Sequence, residues 1–408
     1  MRKKVIFINF PVSGHINPQY ELCKELAKQD IDFIYYTAER YLDKYKSIDN
    51  LEVKLYPKEF MDYYDMLSDN IEYHKKIMAI MYVFNTLTEK ILPYMQQEID
   101  KENPDLIICD SLALWGKIIA RHNKIPYMLF FTSFMGDSKT IKSTPGFRKQ
   151  LLKAAITDFK FIYKFLNIQK RIEKIYGKNS ENITKVMDHQ GKFTVVATSR
   201  EFHPGGKCLP ANIKFIKPYM YRETRVNKDK DTIFVSMGTI SFSKSFWDKC
   251  IEATVGLGYR VVISFGGNKK NKVNIKDIPD NVEIYENLPL DAFREELERS
   301  EIIITHGGFN SITDSIVAET KVLVCPVTNE QKGNGVILEE YGCGILYPEK
   351  EFNIETLRTS IKQLIDNKEM RNNIIFYKNT FINSKSCNEI IKDMNKEFNI
   401  FNNSETNV

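Results

Sequence analysis

The sequence holds no Cys-x-x-Cys pair, no short internal repeat and no low-complexity tract. No apolar run approaches the ~18 residues of a membrane-spanning helix. Charge of one sign is also scarce: 58 Lys and Arg against 53 Asp and Glu leave a net of +5. Without a denser basic stripe the chain does not read as a nucleic-acid binder. Seven cysteines are odd in number and scattered: Cys23, Cys109, Cys208, Cys250, Cys325, Cys343 and Cys387. They read as small buried hydrophobes in a reducing, cytoplasmic setting, not as a disulfide frame or a zinc site. Met1-Arg2-Lys3-Lys4 ahead of Val5-Ile6-Phe7-Ile8 resembles the start of an export signal. The apolar run ends by Pro11, however, and Ser13-Gly14-His15 offers no small-residue cleavage pattern.

What is present is an ordinary globular balance, 43% hydrophobic and 27% charged, over 408 residues. That length fits two or three domains. Near-continuous apolar runs recur at Val5–Phe10, Ile31–Thr37, Asp105–Cys109, Pro126–Thr132 and Thr194–Thr198. A second series follows at Thr232–Met237, Tyr259–Phe265, Val282–Tyr285, Glu301–Thr305 and Lys321–Pro326. Such runs suit parallel strands covered by helices on both faces. Helical periodicity separates them, at Pro18–Gln29, Ser111–His122, Ser245–Gly256 and Asp291–Ser300. The alternation predicts an α/β fold of two doubly wound, Rossmann-like domains whose strand carboxyl ends face one cleft. The expected division is 1–217, a charged linker at 218–231, 232–385, and a C-terminal helix at 386–408 that returns to the first domain and frays at Asn402–Glu405. Long helical patterns at Met78–Asp100 and Arg148–Gly177 read as core-facing helices or as walls of an apolar pocket.

Five places carry candidate chemistry. Gly14-His15-Ile16-Asn17-Pro18 follows a strand, with Pro18 suited to a first helical position. His15 there is a general base or an ordinary loop histidine. Asp110 closes another strand, as a partner for His15 or as an N-cap for a helix starting near Ser111. Thr305-His306-Gly307-Gly308-Phe309-Asn310-Ser311, then Asp314, runs from strand through a glycine turn into a helix. That pattern suits an anion such as a diphosphate, with Asn310 and Asp314 on one helix face, or is a tight turn with Asn310 and Ser311 as cap residues. Ser236, Gly238 and Thr239 end a strand, and Glu330 and Gln331 follow another. The first set meets a phosphate or makes an ordinary strand-to-helix turn, and the second lines the cleft or is a solvated polar loop.

Together these motifs resemble the family 1 nucleotide-sugar-dependent glycosyltransferases of GT-B fold, most nearly the bacterial macrolide-type branch. The likeness rests on GHINP (14–18), DLIICD (105–110), SMGT (236–239) and the stretch from THGGFNS (305–311) through NEQKGNG (329–335). It implies a hexosyltransferase acting with inversion, taking a hexose such as glucose from a UDP-sugar to a hydroxyl of a macrolide, flavonoid or similar hydrophobic acceptor. His15 is implied as base and Asp110 as its partner. Ser236, Gly238, Thr239, Leu288, His306, Gly307, Gly308, Asn310, Ser311, Asp314, Glu330 and Gln331 are implied as donor contacts. His306 and the helix N-terminus would neutralise the leaving diphosphate, with no metal and no further cofactor. Asp229-Lys230-Asp231 reads as solvated charge. The chain departs from the family at Asp314, usually Glu, at Leu290, usually Gln beside the uracil, and at Glu319-Thr320-Lys321. A nucleotide-sugar epimerase or a non-catalytic auxiliary protein of the same fold are the alternatives. The expected state is a monomer or weak dimer without nucleic-acid or membrane-spanning partners.

Overall fold

The apolar runs become strands of two all-parallel sheets. A computed structural model describes residues 2–68, 73, 76–136, 154, 156–180, 191–219, 230–240, 242–348 and 352–401. Most of the 218–231 segment, the 402–405 tail and parts of the Arg148–Gly177 stretch lie outside the described residues. The chain divides into one unit of Met1–Tyr219 with Asn383–Val408 and a second of Met220–Ile382.

Unit 1 contains β1 (Lys3–Ile8), α1 (Ser13–Leu26), β2 (Ile31–Thr37), β3 (Leu51–Leu55), α2 (Lys58–Ser68), α3 (Ile77–Glu102), β4 (Leu106–Asp110), α4 (Leu114–His122), β5 (Tyr127–Phe131), α5 (Phe159–Tyr176), β6 (Phe193–Val196) and β7 (Ile213–Phe215). The sheet order is β3-β2-β1-β4-β5-β6-β7. Side chains alternate across it with the two-residue period of a strand. Ile6, Ile8, Ile34, Tyr36 and Ile107 enter one core with Leu87, Ile91 and Met95 of α3 and Trp115 of α4. Val5, Phe7, Phe33, Tyr35 and Ile108 enter the other with Leu22 and Leu26 of α1. Both faces are covered, which is why the strands read as unbroken apolar runs. Each fully buried Ile or Phe contributes about 1.5–3 kcal/mol.

Unit 2 contains β8 (Thr232–Ser236), α6 (Lys244–Thr254), β9 (Arg260–Ser264), β10 (Val282–Tyr285), α7 (Leu290–Arg299), β11 (Ser300–Thr305), α8 (Phe309–Val317), β12 (Lys321–Val324), α9 (Asn329–Glu340), β13 (Gly344–Leu346), α10 (Ile354–Asp366) and α11 (Lys368–Ile382). Its sheet order is β10-β9-β8-β11-β12-β13. The chain then returns to unit 1 as α12 (Cys387–Phe398), whose Ile390, Ile391 and Met394 complete the core on the α1 side.

Each sheet reverses its strand order once. In unit 1 the reversal lies between β1 and β4, with Ile8 beside Cys109. In unit 2 it lies between β8 and β11, with Ser236 beside Thr305. Chains leaving two adjacent strands in opposite directions open a crevice at their carboxyl ends, where ligands of such sheets bind.

Three sequence expectations change. Pro18 lies inside α1, because Val12 is the extended N-cap and its carbonyl accepts from the His15 and Ile16 N–H groups. Near a helix start a proline forgoes only one backbone bond. Lys230 is not solvated charge: its Nζ donates to the carbonyls of Glu298, Ser300 and Ala318 and to Thr320 Oγ1. It pins the C-terminal ends of α7 and α8, where the helix dipoles favour a cation. Cys208 is exposed, unlike Cys23, Cys109, Cys250, Cys325 and Cys343.

Candidate active site

His15 sits in the first turn of α1, directly beyond β1, and Asp110 is the last residue of β4. The reversal between those strands brings them together. His15 Nδ1 is 2.8 Å from Asp110 Oδ2 and 2.9 Å from Oδ1. The carboxyl is fully buried and the imidazole nearly so. Asp110 does not cap a helix at Ser111, because α4 begins at Leu114; its Oδ1 accepts instead from the Leu112 N–H at 2.9 Å. With Nδ1 donating to the carboxylate, the lone pair belongs to Nε2, which has no hydrogen-bond partner among the described residues. The arrangement suits an imidazole that takes a proton at Nε2 while the aspartate stabilises the resulting cation.

A third residue, absent from the sequence reading, holds the carboxylate. Gln19 Nε2 donates to Asp110 Oδ2, while its Oε1 accepts from Asn9 Nδ2 and from the Tyr35 hydroxyl, each at 2.8 Å. Two donors on the oxygen fix which end of the amide faces Asp110. The available signal was the i,i+4 spacing of His15 and Gln19, which share one face once the helix starts at Ser13. Cys109, next in the chain, is no competing nucleophile, since burial pushes its thiol up to about 12. An aromatic wall adjoins the dyad. The Phe10 ring lies 5.7 Å from that of His15, 5.8 Å from Tyr64, 5.5 Å from Phe84 and 5.9 Å from Trp115.

In unit 2 the turns after β8 and β11 enclose the His306 ring. A Cβ on Gly238 would lie 2.9 Å from His306 Cε1, and one on Gly308 would lie 2.5 Å from Nε2. Gly238 and Gly307 also have φ of +57° and +82°, which side-chain-bearing residues rarely adopt. His306 Nδ1 is buried without a hydrogen-bond partner among the described residues. Burial holds its pKa down at about 4. The imidazole is therefore neutral at pH 7 before any ligand binds, and offers an N–H, not a charge. α8 begins at Phe309, and its N-cap Gly308 has no side chain to bond the first turn. Asn310 and Ser311 lie in that turn and Asp314 one turn on. Burial pushes the Asp314 carboxyl well above the usual carboxylate range, opposed by the Arg294 guanidinium of α7.

Asn334 ties this turn to α9. Its Nδ2 donates to the Gly307 carbonyl at 3.0 Å and to Glu330 Oε1 at 3.1 Å. Glu330 is thus held beside the glycine turn. Gln331 is otherwise engaged: it is buried, and its Oε1 accepts from the Val327 and Thr328 N–H groups at 2.8 and 3.0 Å as part of a capping box. Its oxygen serves the helix start. Ser236 is buried and Thr239 exposed; Leu288 is half-buried in the loop before α7. The sequence reading also passed over Gly266, where a Cβ would lie 1.9 Å from the Gly238 carbonyl oxygen. The Gly266-Gly267 pair behind a strand was its signal. Among the described residues no group of three His, Cys, Asp or Glu is placed to hold a metal ion.

Residues 232–386 match the model of the glycosyltransferase family 28 C-terminal domain. The uncharacterized UDP-glucosyltransferase YojK of Bacillus subtilis is 25% identical over 378 residues, covering 89% of this chain and 90% of YojK. The glycotransferase of kitacinnamycin superposes with a TM-score of 0.79 at 17% identity, covering 98% of this chain and 100% of that one. The chain is a glycosyltransferase of the GT-B fold. CalG4, the calicheamicin glycosyltransferase, has the same fold, at a TM-score of 0.76 and 17% identity, with 97% and 98% covered. In the glycosyltransferase described here, the two parallel sheets are the two halves of that fold. No helix among its described residues is long and apolar enough to cross a membrane.

Proposed function

We propose that this glycosyltransferase moves a hexose, glucose in the first instance, from a UDP-sugar to a hydroxyl of a hydrophobic small molecule, with inversion at the anomeric carbon. The observation that carries the reading is the His15–Asp110 contact at a strand reversal, with Nε2 left to act. In this reading Nε2 takes the proton of the acceptor hydroxyl as its oxygen attacks the anomeric carbon. The bond to the diphosphate breaks on the opposite side, and UDP leaves. A positioned base of this kind supplies about 10²–10⁴-fold in rate.

On the donor side, Gly238, His306, Gly307, Gly308 and the first turn of α8 with Asn310 and Ser311 take the diphosphate. Ser236 and Thr239 flank it. Asp314 takes the ribose and Glu330 a sugar hydroxyl; Gln331 keeps only its Nε2 for that task. Leu288 lies with the base. Backbone dipoles and the His306 N–H meet the leaving charge, so no metal is assigned. Neutral His306 makes this weaker than a fixed cation, and proton uptake on UDP binding would strengthen it. YojK and CalG4 carry glycosyltransferase names that agree with the reading. Phe84, half-buried against the buried Phe10, offers an apolar surface for a hydrophobic acceptor.

The test is UDP release with UDP-glucose against macrolides, flavonoids and simple phenols, with products weighed by mass spectrometry. A gain of one hexose on any acceptor supports the assignment. UDP binding without transfer to any of them, repeated with UDP-N-acetylglucosamine and dTDP-sugars, would overturn it.

A further inference from the structure

Helix α5 is apolar on two faces. The inward one buries Phe161, Phe165, Ile168, Ile172 and Tyr176. The outward one bares Phe159, Tyr163 and Leu166, spaced i, i+4, i+7, at 70%, 67% and 41% exposure. Ile156, just before the helix, is 77% exposed. Solvated helices put polar residues on that side. The large exposed apolar residues elsewhere among the described residues include no second run of this kind on one helix.

The exposed charged residues around this stripe are mainly cationic. Lys160, Lys164, Lys170 and Lys174 are all exposed. The Lys160 Nζ lies 5.2 Å from the centroid of the Phe161 ring and the Lys164 Nζ 5.3 Å from that of Tyr82, so both charges rest against aromatic rings at the edge of the stripe. Of the neighbouring carboxylates, Glu89 is paired with a cation and Glu173 keeps its charge. Glu173 accepts from Gln169 and Ser180, and Glu89 pairs with Arg171.

We propose that this face of α5 seats the enzyme on an anionic phospholipid surface. Aromatic side chains with a rim of lysine are the composition of a helix lying in the plane of a bilayer interface. Each lysine near such a surface adds to the attraction. A second copy of the chain fits less well. A two-fold contact through this helix would set its lysines against the same lysines of the other copy. Attachment of this kind is peripheral, and would bring the enzyme to acceptors that partition into lipid.

The test is co-sedimentation of the full chain with phosphatidylcholine vesicles, with and without phosphatidylglycerol. Binding is expected only with phosphatidylglycerol and should weaken with added salt. Phe159→Ser with Tyr163→Ser should lower the bound-to-free ratio by about tenfold. Lys160→Gln with Lys164→Gln should abolish the preference for phosphatidylglycerol. Both pairs are exposed, so the melting temperature and UDP binding should match the parent. No pelleting with either vesicle, or equal pelleting of the Ser variant, overturns the proposal. So does a concentration-dependent dimer that the same Ser substitutions dissolve, which would assign the face to a second copy.

Discussion

At the scale of single residues the dyad is held more tightly than its sequence spacing shows. His15→Ala should lower the transfer rate by about 10²–10⁴-fold and leave the UDP dissociation constant from calorimetry nearly unchanged. Loss of UDP binding to the same degree would contradict the base assignment. Gln19→Leu keeps the volume but removes the donor on Asp110 and strands Asn9 and Tyr35. Breaking such a buried set costs about 1–3 kcal/mol of stability. The transfer rate should fall about tenfold, a loss comparable to one misplaced charge-assisted bond. His15 and Asp110 were legible because one opens the helix after a recognisable strand and the other ends a strand. Gln19 was not, since a glutamine inside an amphipathic pattern looks like surface until the fold buries it.

At the scale of elements, strands were easier to read than turns. Ile31–Thr37 and Val282–Tyr285 are found with the expected bounds, and the other predicted runs differ by one or two residues at one or both ends. β3, β7 and β13 were missed. Leu51–Leu55 carries Glu52 and Lys54, as an edge strand can, and the other two are three residues long. Lys230 was misread because a charged linker and a buried helix-end clamp have the same composition. The turns also bear on pH. Folding holds His306 at about 4 against 6.5 unfolded, so between those values the unfolded chain binds more protons. Stability from this group is complete above pH 6.5 and is lost as pH falls toward 4. Asp314, with a raised pKa, acts in the reverse sense and loses its contribution as pH rises. Unfolding free energies from urea titrations should therefore fall more steeply from pH 6.5 to 4 in the parent than in His306→Gln, by about a few kcal/mol at the low end. Parallel curves would contradict a neutral buried imidazole.

At the scale of the molecule, both sheets place their chemistry at the same point, the single reversal of strand order. The sequence showed strand and helix alternating twice, which was enough for the fold. Amphipathic periodicity by itself does not name the core that receives α12; the return of this helix to the first domain was implied by the resemblance. Ile390, Ile391, Met394, Ile400 and Phe401 all join Leu22, Ile31 and Phe33 there. At about 1.5–3 kcal/mol each, their loss rivals the whole stability of a domain. A chain ending at Asn383 should therefore lose unit 1 and keep unit 2. Trp115 and Trp247, one in each unit and both buried, report the two separately. In single-tryptophan variants, the Trp115 emission should shift to the red and that of Trp247 should not. The order of arrival matters as well. Residues 220–382 leave the ribosome between the sheet of unit 1 and its last helix. At roughly 5–20 residues per second, the earliest-made sheet waits several seconds or more with one face incompletely covered. During synthesis the later-coded half can finish first, and the interval in which a nascent chain most needs protection falls on the half that was begun earlier.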